Sequence, residues 1–420
     1  MTRMTRFAVT LLVTAGGMLA ARAASAQDAG TTPTCASLPN PVYLDGSSAF
    51  EPTVAAFAVK MAAETPPTTV VYLKPGSCSG VNIIATNADI TGSGTYYTLT
   101  GTTLNKPTCT LPASGQKADI GVSDVFYGSC GAAAPATQPP TLKDFPGPVQ
   151  AMEFVVAKSN TSTQYLTAAE AQDLYGCGAT AGISSFSSAS NIFCRDQNSG
   201  TQIIITSNIG LSPMIPVTTT TAAGICVSES GSGPLATAVA GATPPTAGVG
   251  FLGADVYDTD RTTLNALAFE AVGQTKAFYA DSTPTAVDRQ NVRDGHYPMW
   301  GYEHMFAYVD TTGKPTSANA AELINLITGD ASDANVGDAV ALEGKAGTIP
   351  LCAMSVAKTN DSPGYLSPTA APTCTCAYVK AASGTAPAGC TPCGGGSDGG
   401  ADAAAGGCSG GKTCSHGYCE

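Results

Sequence analysis

The sequence predicts an α/β fold of two lobes followed by a disulfide-rich tail. Short apolar runs alternate with helical patterns over residues 40–363. That stretch suits two α/β lobes better than one. After Pro363 the composition changes to Gly, Ala, Ser and Cys. Strands separated by helices predict parallel sheets joined by right-handed crossovers.

The elements follow in order. Residues 42–44 predict the first strand and 52–63 the helix after it. Thr69–Leu73 reads as the second strand and residues 81–85 as a short helix. Residues 118–122 and 153–157 are further strands. Thr167-Ala168-Ala169-Glu170 has the capping-box pattern, so a helix should start there and run to Tyr175. Residues 191–194 predict a strand. Residues 201–209 predict a helix, although their β-branched run would equally suit a strand. Residues 249–252 and 305–309 are strands, and Ala318–Thr328 is a helix. Residues 91–115, 128–140 and 218–245, rich in Thr, Ser, Ala and Gly, read as surface loops, some pinned by cysteines.

The first residues point to export. Arg3 and Arg6 precede an apolar run, and Ala24-Ser25-Ala26 supplies a small-residue cleavage site before Gln27. Residues 1–26 are therefore expected to be a signal peptide and 27–39 a linker. The apolar run is too short to span a bilayer comfortably, and no later segment would cross one. Fifteen cysteines in an exported chain predict disulfides, with one thiol left over or paired between molecules. Cys390-Thr391-Pro392-Cys393 has the spacing of a zinc half-site or redox pair, but export and the surrounding glycine favour a disulfide. The net charge is −12, and loss of the leader's three arginines makes the mature chain more acidic still. This argues against nucleic acid and anionic membranes as partners. It does not exclude a small anion, whose binding is set by local N–H groups and one arginine. Residues 374–420 hold too few large apolar side chains to bury a core, so order there should depend on disulfides. Cys408, Cys414 and Cys419 fit either a small cysteine-knot fragment or the terminal loop of a flexible tail.

Four segments carry donor groups suited to an anion. Asp45-Gly46-Ser47-Ser48-Ala49 follows a strand and opens a helix, offering hydroxyls and free N–H groups. Pro75-Gly76-Ser77-Cys78-Ser79-Gly80 is a second small-residue turn of that kind. Ser123-Asp124 closes a strand; an ionised Asp124 would accept a proton from hydrogen phosphate and meet sulfate acceptor to acceptor. Arg195-Asp196-Gln197-Asn198-Ser199-Gly200-Thr201 sets a planar guanidinium four residues before a helix start. Each segment alone could equally be an ordinary helix cap.

In this order the segments resemble the phosphate-binding proteins of bacterial ABC phosphate importers, which have the type II periplasmic binding-protein fold. The matching motifs are Gly46-Ser47-Ser48, Gly76-Ser77-Cys78-Ser79-Gly80, Ser123-Asp124 and Arg195 with Ser199-Gly200-Thr201. The resemblance covers residues 42–327. It implies a ligand cleft between lobe I, residues 40–149 with 300–363, and lobe II, residues 150–299, with 364–420 as the tail. It implies phosphate contacts from Ser48, Ala49, Ser77, Asp124, Arg195, Ser199, Gly200 and Thr201, with no catalytic residue, metal or cofactor. The implied partners are inorganic phosphate and an ABC permease. Gln197-Asn198 replace the family's usual Asp-Gly, and the first turn lacks the usual Thr. The cysteine-pinned insertions and the tail favour an alternative, a cell-surface or matrix protein that reuses the fold and attaches through its tail. A hydrolase has little support: Gly395-Gly396-Ser397-Asp398-Gly399 has no strand before it or helix after it, and the three histidines suggest no triad.

Overall fold

The computed structural model describes residues 32–211, 225–329, 339–364, 366–393 and 408–420. The expected signal peptide and the Gly-x-Ser-x-Gly match lie outside them. Nine strands form the main sheet. Its centre is parallel as expected: Pro41–Gly46 lies between Thr69–Leu73 and Ile120–Ser123, running with both. The rest corrects the all-parallel expectation. Trp300–Tyr308 runs against Ile120–Ser123 and against Leu142–Ala157, which in turn runs against Val249–Gly253. Leu142–Ala157 is one 16-residue strand, far longer than its apolar core of residues 153–157 indicated. It carries the chain across the sheet, and Trp300–Tyr308 brings it back in the opposite direction. The register between them breaks at Pro146, which has no N–H to give the ladder.

The helices that the sequence predicts form in place, with one informative shift. Glu51–Met61 carries Pro52 in its first turn, where no N–H is missed. Thr167 and Glu170 close the capping box at the start of Ala168–Cys177. Gly200–Asn208 is helical, which resolves the helix–strand ambiguity. Ser199 caps it by accepting from the Gln202 N–H. Ile203, Ile204 and Ile205 are all buried, as in a helix enclosed on every side. Ser77–Thr86 begins four residues before the apolar pattern, so Ser77 stands in its first turn. This helix lies hard against the first strand. A Cβ on Gly80 would come 2.5 Å from the Asp45 carbonyl oxygen, and one on Gly46 would come 1.9 Å from that of Val122.

Two expected loops are structured. Residues 91–115 form the short strands Ser93–Tyr96, Thr98–Thr100, Thr103–Asn105 and Thr108–Thr110, in keeping with their β-branched threonines. Residues 225–245 hold Val227–Glu229 and the helix Ser232–Ala240.

Seven disulfides form, leaving Cys177 unpaired and exposed. That number marks a chain folded in an oxidising compartment. Cys390 and Cys393 are both oxidised, but with Cys376 and Cys414 rather than with each other. Cys35, in the expected linker, is buried and bonded to Cys109. The tail corrects a further expectation. Cys352–Cys374 ties it to the body, and Tyr378 on the helix Thr375–Ser383 is 1% exposed within the main core. The Glu420 carboxylate accepts from the N–H groups of Thr375 and Cys376, both at 2.6 Å, capping that helix. One well-placed tyrosine and a carboxylate cap thus supply packing that composition alone does not reveal. Among the described residues no helix is long and apolar enough to cross a membrane.

The first strand ends on a buried acid with a measurable consequence. Asp45 is 2% exposed, and burial pushes its carboxyl up to about 7. Between about pH 4 and that value the unfolded chain gives up this proton while the folded chain keeps it, so stability falls as pH rises through the window. Asp45→Asn should be near neutral at about pH 4 and should stabilise by roughly 2–4 kcal/mol at about pH 8. Urea unfolding at both pH values checks this, and equal midpoint shifts would contradict it.

Candidate anion-binding site

Two helix N-termini meet at the end of the parallel strands. Ser77 opens Ser77–Thr86, and Gly200 opens the helix capped by Ser199. The Ser77 hydroxyl oxygen accepts from the Gly200 N–H at 3.2 Å and from the Asp124 N–H at 3.3 Å. Alongside, the Cys78 N–H donates to the Asn198 carbonyl at 3.0 Å. The fit leaves no slack. A Cβ on Gly200 would come 2.4 Å from Ser77 Oγ and 2.8 Å from Asp124 Oδ2. Gly76, at φ 121°, lets the turn approach the Asn198 carbonyl. The positive ends of two helix dipoles therefore point at one spot.

Arg195 supplies the formal charge beside them. It ends the short strand Phe193–Arg195 and is 3% exposed. Its Nε donates to the Glu229 carbonyl at 3.1 Å, Nη1 to Ser232 Oγ at 3.2 Å and Nη2 to the Ser230 carbonyl at 3.4 Å. The fork is thus held in a fixed plane, and its field reaches Asp124. Burial lowers the guanidinium's pKa, with Asp196 and Asp124 opposing that shift.

Asp124 is 2% exposed and lies at the centre. Burial raises its carboxyl; hydrogen bonds from Ser47, Glu303 and Ser77 and the charge of Arg195 pull the other way. Ser47 also accepts the Ala49 N–H at 3.1 Å, and the Tyr72 hydroxyl donates to the Ser47 carbonyl.

The structure brings Ser77, Asp124 and Gly200 into direct contact, with Arg195 beside them and Ser199 and Thr201 buried next to Gly200. In the first turn Ala49 is buried, Ser48 is half-buried, and it is the Ser47 hydroxyl that favours the ionised form of Asp124. Sequence reasoning named Ser47 in the first donor turn but chose Ser48 and Ala49 there, and it missed Ser232 and Glu303. Glu303 had a signal: it is an acid inside an otherwise largely apolar strand, Trp300–Tyr308. A nearby cavity of 610 Å³, bounded by Asp45, Tyr72, Lys74, Ser79 and Asn82, includes neither Ser77 nor Arg195. The contacts above, not that cavity, define the candidate site. His304 is fully buried with Nδ1 on Asp144 at 2.8 Å, and its Nε2 meets no hydroxyl among the described residues. It activates no nucleophile there.

No family model matches the chain, and no curated protein matches it in sequence. Solved structures do resemble it. A candidate phosphate ABC transporter substrate-binding protein from Clostridium perfringens, with bound phosphate, aligns over 74% of this chain and 100% of its own at 14% identity and TM-score 0.48. An ABC-type phosphate transport receptor from Vibrio cholerae aligns over 73% and 99% at 18% identity and TM-score 0.45. A human phosphate binding apolipoprotein aligns over 74% and 91% at 13% identity and TM-score 0.45. This mixed α/β chain thus aligns with these three structures over about three quarters of its length.

Proposed function

We propose that the protein is an exported, non-enzymatic receptor that captures inorganic phosphate, or a close tetrahedral oxyanion, for uptake. The observation that carries this reading is the meeting of the Ser77 and Gly200 helix starts beside a fixed, buried Arg195. Hydroxyls and N–H groups from both sides, some of which pair with each other across the two helix starts, would turn to the ion and replace its water, and the guanidinium would balance its charge. Residues 40–149 with 300–363 and residues 150–299 would be the two closing lobes. Ser48, Ala49 and Ser77 would contact the ion from the first lobe, and Arg195, Ser199, Gly200 and Thr201 from the second. Asp124 would accept the proton that hydrogen phosphate carries and sulfate lacks. A periplasmic or cell-surface location and delivery to a permease follow from this reading. A tail serving only as an attachment module is disfavoured by the engagement of Tyr378 and Glu420 within the fold.

Isothermal titration of ligand-stripped full-length protein with phosphate and with sulfate tests the function. Phosphate should bind at least about tenfold more tightly, because sulfate leaves a buried acceptor facing an acceptor. No heat from either anion would falsify the reading.

A further inference from the structure

Trp300–Tyr308 pairs with Ile120–Ser123 so that His304 stands opposite Ser123. Continued by one residue, this antiparallel register sets Glu303 opposite Asp124. Gly301, on the same face as Glu303, shows how close the approach is: a Cβ there would come 2.1 Å from the Asp124 carbonyl oxygen. Glu303 is 0% exposed, and neither of its carboxyl oxygens has a hydrogen-bond partner among the described residues; the same holds for Asp124 Oδ1. The two carboxyl groups are near enough for each to act on the other's ionisation. Two ionised carboxylates so placed, away from water, repel strongly; a proton held between them turns the repulsion into a hydrogen bond.

The surroundings decide which acid keeps that proton. Asp124 faces the hydroxyls of Ser47 and Ser77 and the charge of Arg195, all of which favour its ionised form. Glu303 faces Asp124, Asp255 and the phenol of Tyr72, none of them positive. Burial and the Asp124 carboxyl hold Glu303 well above the usual carboxyl range.

Building on the anion-site reading, we propose that Glu303 is a specificity-determining residue: as a neutral acid it donates to Asp124 and keeps it ionised, so the site favours an oxyanion that brings its own proton. When Glu303 loses its proton to solvent at alkaline pH, a second negative charge stands behind Asp124 and weakens binding of any anion. If Asp124 lacked this donor, it would take up a proton itself and accept sulfate. Arg195 keeps its charge throughout, and burial keeps the Tyr72 hydroxyl neutral. Asp255 and Asp45, each pushed up to about 7 by burial, titrate in the same range. The test therefore compares variants across a pH series instead of reading one curve.

Phosphate and sulfate are titrated into the full-length protein, Glu303→Gln and Glu303→Leu from about pH 5 to about pH 9. The Gln amide still donates to Asp124 but cannot ionise, so that variant should keep phosphate affinity at the pH where the wild type begins to lose it. The Leu variant, without a donor, should lose at least about tenfold of the phosphate-over-sulfate preference. In ligand-free protein the infrared difference spectrum of wild type minus Glu303→Gln should show the carbonyl band of one neutral carboxylic acid, above the contribution that Asp45 and Asp255 make to both. A Gln variant that tracks the wild-type pH series, or a difference spectrum without that band, overturns the proposal and leaves phosphate binding standing. Failure of the wild type to bind either anion overturns the anion reading and this role with it.

Discussion

Arg195→Ala is expected to abolish measurable phosphate binding at micromolar protein, a loss of about thirtyfold to several thousandfold. In the proposed site the guanidinium would be the charged group that balances the anion, and it stands 3% exposed with three of its nitrogens already anchored. An anion brought to this spot without it would sit in a dehydrated pocket facing Asp124, with only N–H and O–H dipoles to hold it. Truncating one partner of such a buried pair leaves the other charge uncompensated, hence the large effect. Arg195→Lys separates charge from shape. Lysine restores the positive charge but not the planar fork held by Glu229, Ser230 and Ser232, so affinity should return only in part. Thermal unfolding of each variant shows whether the fold survives. An Ala variant that binds phosphate like the wild type would remove Arg195 from the site.

Gly200→Ala is expected to weaken binding tenfold or more while leaving the helix it opens intact. Alanine is the better helix former, so local propensity favours the substitution. The added methyl has no place to go: it would stand 2.4 Å from Ser77 Oγ and 2.8 Å from Asp124 Oδ2. The two helix starts must then separate, and the Gly200 N–H loses its contact with Ser77. Overpacking of this kind costs about 1–3 kcal/mol, which here should appear as lost affinity. Titration with phosphate measures it. Unchanged affinity would mean that the two segments do not need to touch when the ion is held.

Much of this geometry was legible in the chain, and the parts that were not share a cause. Short-range chemistry could be read directly: the capping box at Thr167, the helix Ala318–Thr328, the strand Thr69–Leu73 and the small-residue turns that become helix starts. Family likeness named Ser77, Asp124 and Gly200, and the fold brings these three together although Ser77 and Gly200 are 123 residues apart. Long-range pairing was harder. Nothing local says that Leu142–Ala157 and Trp300–Tyr308 run against their neighbours, because strand direction is set by where the chain must go next. Glu303 was missed for the same reason: its partner Asp124 lies far along the chain and becomes visible only through the register of those strands. Ser47 and Ser48 are chemically alike, and only the backbone turn after Gly46 decides which hydroxyl faces Asp124. The tail misled because composition counts side chains and cannot say that Tyr378 finds a slot in the core of its neighbours.

Two of the disulfides sit one residue from side chains of the candidate site. Cys78, bonded to Cys130, follows Ser77, and Cys194, bonded to Cys226, precedes Arg195. Each half of the candidate site is therefore fastened covalently. Oxidative folding restrains these two loops once, at synthesis, so in the proposed capture little of their freedom would remain to be lost, and more of the contact energy would survive as affinity.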